Sequence, residues 1–365
     1  MSFALKETSR RIIIGKIIFK ASWFIKPQAS TTNNVPISDL PYSFQEFLQK
    51  IKLFADDEKN IDLNQIESEL KNIDEAVQSE VERRKEMQEN IQLCKFFTKN
   101  QIRIDEGMNR AIILFDYIDV FGADVTYKNN RTLVLKHNIK AQDEGVNYSA
   151  HLIINLTETA IPGVFNAALE CVPQLSTSVI NGVLSKICNY FRNKSRNDFL
   201  IDSPTGELDR NGNPVKKAIR ISIEFKPDVS EDFFTLLAKR KSIISLSLIQ
   251  SNFENDTAPI LTVKRQELFL SSPDEDFYND YGEKTWGNIQ IISSWGNDHG
   301  YTKTKLKLKD EDNIIKTVII DNSDFSFIDE THFTKTKTIN GLSKMPTGCD
   351  TINDQFVEKV WTHIR

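Results

Sequence analysis

Asp209, Glu224 and Lys226 are the residues whose types and order could carry out a reaction. Asp209 lies 15 positions ahead of Glu224 in the run Glu224-Phe225-Lys226, an order like the Asp, then Glu-x-Lys layout of metal-dependent nucleases. Two carboxylates can hold Mg²⁺ beside a scissile phosphate while the lysine favours the attacking hydroxide and the developing charge. The spacing is loose, Asp209 falls in the turn-rich stretch SPTGELDRNGNPVKK, and Pro227 follows Lys226 at once. A plainer reading makes Glu224 and Lys226 solvent-facing partners on the polar side of a strand.

No other catalytic signature is present. The five histidines show neither H-E-x-x-H nor H-x-x-x-H spacing, so a zinc enzyme is not expected. The sequence lacks G-x-x-x-x-G-K-[ST], G-x-G-x-x-G and G-x-S-x-G, the common marks of nucleotide binding and of a serine nucleophile. Cys94, Cys171, Cys188 and Cys349 are far apart and read as reduced thiols of a cytoplasmic protein. No metal site or cofactor is expected, with Mg²⁺ the exception under the nuclease alternative.

Binding chemistry is better represented. In KTKLKLKDED, Lys303, Lys305, Lys307 and Lys309 alternate with Thr304, Leu306 and Leu308, so a strand would carry the four amines on one face. Lys335 and Lys337 repeat the alternation, Lys264 and Arg265 mark another strand, and Arg192, Lys194 and Arg196 crowd the end of a helix. Spaced ammonium groups form a track for backbone phosphates, giving salt-sensitive binding largely independent of sequence. Two plainer roles compete: lysines deter edge-to-edge strand pairing, and cations near a helix C-terminus complement its dipole. Trp286, Trp295 and Tyr301 near the row could stack unpaired bases if exposed. The acidic stretch SSPDEDFYNDYGE, 271–283, could screen the amines or lie across them as a lid.

The elements that would position these groups alternate in character. IIIGKIIF near the start reads as a buried strand, because Lys16 and Lys20 interrupt it well short of the roughly 20 apolar residues of a membrane span. SFQEFLQKIKLF predicts an amphipathic helix with Ser43 as N-cap. From Leu63 to Ile91 apolar residues recur at three and four, which predicts a helical hairpin or coiled arm over 58–97, paired within the chain or between chains. Strand-rich runs about the turn KNNR follow, then SAHLIINLT as a strand. Helices are expected over about 162–171 and 175–192, divided by Pro173. AIRISIEFKP reads as a strand, SEDFFTLLAKRK as a helix and SIISLSLI as a strand. The remainder, including GNIQIISSW, reads as antiparallel strands closed by a C-terminal helix.

A net charge of −5 excludes a global field drawing in polyanions, so any such site must be a local patch. Hydrophobic residues at 39% and charged ones at 27% describe a globular chain of 365 residues, long enough for one large or two ordinary cores.

The order AHLIINLTETAIPGVFNAAL, ISIEFKPDVSEDFFTLLAKR and KLKLKDEDNIIKTVIID resembles the layout of the RexA family of phage-exclusion proteins over about residues 150–345. That resemblance implies an antiviral, abortive-infection protein that binds DNA without strong sequence preference, acts as a dimer and signals through a second defence protein. It carries over no catalytic residue. The arm at 58–97 and the stretch 250–300 depart from the family layout and leave its partner and trigger open.

Together these readings give an α+β protein: an N-terminal region, 1–104, with the helical arm, and a body, 105–365, of mixed, largely antiparallel sheet with packed helices. The expected function is non-enzymatic DNA binding in phage defence, without membrane insertion. The alternatives are the Mg²⁺-dependent nuclease and a protein-interaction scaffold acting through the arm.

Overall fold

The computed structural model describes residues 8–23, 33–36, 42–57, 102–119, 145–203, 206–239, 242–251, 265–270, 282–309, 313–323 and most of 333–365, with short pieces between. In chain order the strands are β1 (Thr8–Trp23), β2 (Asn33–Val35), β3 (Ile61–Asp62), β4 (Lys95–Phe96), β5 (Ile102–Asp105), β6 (Arg110–Asp119), β7 (Val125–Lys128), β8 (Leu135–Asn138), β9 (Val146–Glu158), β10 (Val164–Glu170), β11 (Leu200–Asp202), β12 (Lys216–Pro227), β13 (Ile243–Ser251), β14 (Arg265–Leu270), β15 (Lys303–Lys309), β16 (Ile315–Asp321) and β17 (Thr336–Leu342). The helices are α1 (Phe44–Asp57), α2 (Thr177–Lys194), α3 (Glu231–Ala238), α4 (Gly282–Asp298) and α5 (Asp354–Trp361). The chain is α+β with antiparallel sheets. It divides into two compact units: Met1–Ile12, Lys16–Phe225 and Thr338–Arg365 form one, and Ile13–Gly15 with Lys226–Lys337 the other.

The first unit is organised on a sheet ordered β11-β12-β1-β10-β9-β6-β5, with β2 and β17 also pairing β1. β1 is the IIIGKIIF strand, and its central place explains why Ile12, Ile17 and Phe19 are at most 1% exposed. β12 buries Ile219, Ile221, Ile223 and Phe225 as its alternation predicts. Phe19, Phe44, Phe47, Phe165, Phe191 and Phe199 join in ring contacts that seat α1 and α2 against the sheet. α1 begins with a capping box: Glu46 accepts from the backbone and hydroxyl of Ser43, whose own oxygen takes the Glu46 N–H.

α5 is fastened by a buried polar strut. His151, fully buried on β9, donates from Nδ1 to Glu170 Oε2 at 2.7 Å, and its Nε2 accepts the Asn353 N–H at 3.1 Å. Asn353 is also the N-cap of α5, with its side chain accepting from Phe356 N. Arg10 reaches the second oxygen of Glu170 at 3.6 Å, so this buried carboxylate is paired on both sides.

The second unit has the sheet order β14-β13-β15-β16. Its core gathers Phe233, Leu237, Leu246, Ile289, Leu306, Leu308, Val318 and Ile320, with α3 and α4 contributing. The α3–α4 junction is tight, since a Cβ on Gly282 would overlap the Phe234 carbonyl.

Two expected elements form differently. Residues 164–170 are a strand, β10, rather than part of a helix over 162–171: Pro162 sits in the turn where Gly163 takes φ 74°, and Ala167 and Ala168 fit the close sheet interior beside Ile154 and Ile153. GNIQIISSW lies in helix α4 rather than in a strand. Its apolar residues look strand-like, but Thr285, Ile289, Ser293 and Gly296 are buried at helical spacing. Ser293 there meets Thr304 of β15 through a 2.8 Å hydroxyl contact, and Thr304 donates to Asn322 at 2.6 Å.

The arm expected over 58–97 lies largely outside the described residues. Of that stretch, β3 and β4 are described, and they pair antiparallel through Ile61↔Phe96 and Asp62↔Lys95.

Candidate nucleic-acid interface

The lysine row adopts the alternation its sequence predicts. Along β15, Thr304, Leu306 and Leu308 are buried, Lys303, Lys305 and Lys307 are half-buried and Lys309 is exposed. Side chains of alternate residues leave opposite faces. Because α4 meets Thr304, and α3 and α4 supply the core around Leu306 and Leu308, the lysines face away from the helices.

β15 is hydrogen-bonded to β13 on one side and β16 on the other. Lysines that merely protect a sheet edge belong on an edge strand. β15 is interior, so edge protection does not account for the row.

Strand register defines what surrounds each amine. Lys303 stands between Ile249 and Asp321, Lys305 between Ser247 and Ile319, and Lys307 between Ser245 and Thr317; Lys309 pairs Ile315. On β14, Glu267 pairs Ile249 and Phe269 pairs Ser247. The acidic groups therefore collect at the Lys303 end. Lys305 Nζ lies 3.2 Å from Glu267 Oε1, whereas Asp321 accepts from the backbone and hydroxyl of Ser323. Among the described residues, Lys307 and Lys309 have no carboxylate within ion-pair distance. Ile315, 59% exposed, lies across from Lys309 at that end, and Phe269, 67% exposed, lies in the Lys305 row.

The remaining basic residues distribute over other elements. Lys337 lies on β17, which pairs β1 in the larger sheet, and Lys335 immediately precedes it. Both are exposed and belong to the second unit. Arg192 and Lys194 occupy the last turn of α2 and Arg196 the 3₁₀ turn that follows, all in the first unit. Burial, then the neighbouring charge of Arg220, lowers the Arg192 pKa. Lys194 lies 5.5 Å over the Tyr190 ring. Arg265 opens β14, and Lys264 lies outside the described residues, as do 271–281 of the acidic stretch.

The expected aromatic partners are elsewhere. Trp286 packs edge-on against Phe233 at 5.4 Å, and Trp295 stacks on His299 at 4.1 Å, both on α4. Tyr301 is half-buried, with its carbonyl accepting from Asn322. Phe269 was legible only as one apolar residue of QELFL; its position in the lysine face depends on β14–β13 register, which no local pattern encodes.

The carboxylates of the nuclease alternative do not converge. Asp209 lies in the loop between β11 and β12, where Oδ1 accepts the Asn211 and Asn213 N–H groups at 2.8 Å. Those bonds, the Asn213 one foremost, hold its carboxyl below the usual range. From Lys216, where β12 leaves that loop, to Glu224 is about 26 Å of extended strand. Glu224 lies 3.7 Å from Lys20, and Lys226 is 9% exposed. Among the described residues no group of three or more His, Cys, Asp or Glu is placed to hold a metal ion. No helix among them is long and apolar enough to cross a membrane.

Comparisons with family models, curated proteins and solved structures yield no match for this chain.

Proposed function

We propose that this chain binds DNA through the lysine face of its four-stranded sheet, chiefly by backbone phosphate contacts and with little sequence preference. The observation that carries the reading is the row on an interior strand, with its buried side facing the helices and its outer side ending in Lys307 and Lys309. Over Lys303 to Lys309 the row runs about 20 Å, and ammonium groups so spaced contact phosphates without reading bases. The likeness in layout to the RexA family supplies the biological setting: an abortive-infection protein acting in the cytoplasm with a second defence protein. A homodimer formed through the arm at 58–97 belongs to the same proposal.

A fluorescence anisotropy titration of labelled duplex DNA at low salt tests the reading. The parent binds, and Lys307→Glu/Lys309→Glu lowers affinity by about tenfold or more, because each like charge set against phosphate is costly. Equal affinity of parent and variant removes the face as the binding site.

A further inference from the structure

We infer that the lysine face prefers unpaired nucleic acid, with Phe269 as the platform on which a base stacks. This rests on the DNA-binding reading and specifies its substrate form. Phe269 is 67% exposed, an exposure that wastes most of the ring's apolar surface unless something covers it. Register places it in one row with Ser247, Lys305 and Ile319. Neighbouring strands lie about 4.8 Å apart, so Phe269 and Lys305 are about 10 Å apart at their backbones. Between them Ser247 is small and buried, and it donates to Glu267 at 2.7 Å, the same carboxylate oxygen that Lys305 meets at 3.2 Å. Ile315, 59% exposed and directly across from Lys309, adds a second apolar surface at the cationic end.

A duplex hides the faces of its bases, whereas a single strand offers both phosphates and rings. Aromatic side chains beside a positively charged groove are the means by which proteins hold unpaired strands without reading sequence. Charge is unevenly distributed along the row: Asp321 pairs Lys303 in register and Glu267 holds Lys305, whereas Lys307 and Lys309, further along, have no carboxylate within ion-pair distance among the described residues. One strand lying across the face would place phosphates on Lys307 and Lys309 with a base over Phe269.

The test compares an oligothymidylate with a duplex of equal length, using the full chain, Phe269→Ala and Phe269→Trp. The parent is expected to bind the single strand more tightly, and Phe269→Ala to weaken single-strand binding roughly 5- to 150-fold with little effect on the duplex. Phe269→Trp should retain binding and show fluorescence quenching when the single strand is added. Equal binding of both forms by the parent, with no loss in Phe269→Ala and no quenching, overturns the inference while leaving DNA binding intact. Failure of the parent to bind either form removes the underlying reading and this inference with it. Unchanged denaturation midpoints for the variants assign any loss to the missing ring.

Discussion

Lys305 Nζ lies 3.2 Å from Glu267 Oε1, and the same oxygen accepts the Ser247 hydroxyl at 2.7 Å. One carboxylate thus withdraws the second lysine of the row from the face's net charge. Glu267→Gln should release it, raising affinity for duplex DNA severalfold and steepening the slope of log K against log salt by about 0.9. Stability should change by less than about 1 kcal/mol, the scale of a partly exposed pair. Anisotropy titrations at several salt concentrations, with a urea denaturation curve, provide both readouts.

Gly282 and Gly287 occupy the same helix and should respond oppositely to a methyl group. At Gly282 a Cβ would overlap the Phe234 backbone, while at Gly287 nothing lies within 4 Å. Gly282→Ala should destabilise by about 2 kcal/mol or more as α4 is forced from α3, and Gly287→Ala should stabilise by about 1 kcal/mol. Denaturant midpoints of the two variants check both signs.

The His151–Glu170 pair is structural, because both ring nitrogens are occupied and the imidazole is fully buried. His151→Ala removes the hydrogen-bonding partner of a buried carboxylate and the acceptor for the Asn353 N–H, and should cost about 3–5 kcal/mol. Limited proteolysis should then cut first at the released C-terminal helix.

Cys188 should make stability fall at alkaline pH. Burial pushes its thiol up to about 12, above the value of about 8.5 in an unfolded chain. The folded state therefore holds the proton longer: the contribution is fully present below about pH 8.5 and is lost progressively as pH rises toward 12. By pH 10 the loss should be about 2 kcal/mol, and Cys188→Val should flatten the stability profile relative to the parent. Native Cys188 should resist iodoacetamide at pH 8, since the thiolate is the reactive form.

The parts legible in the sequence were those with a local period. KTKLKLK and IRISIEF announce their buried faces because a strand's side-chain period is two residues, and the capping box at Ser43 and Glu46 is a short-range signal. Where β-branched residues coincided with helical spacing, as in α4, the run was ambiguous until Gly282, Ser293 and Gly296 met their neighbours. β10 was hidden because Pro162, which suits a helix start, serves a turn instead. The placing of Phe269 and Glu267 around the lysines, and the meeting of Arg10, His151 and Glu170, depend on pairing between distant segments. Periodicity has no access to that information.

The most direct measurement is the salt dependence of duplex DNA binding by the parent and by Lys307→Ala/Lys309→Ala. Two phosphate contacts account for a slope of about −1.8 in log K against log salt, so the double variant should bind more weakly at low salt with a slope shallower by that amount. An identical slope and affinity in the two proteins, or a parent that does not bind, would contradict the assignment of this face.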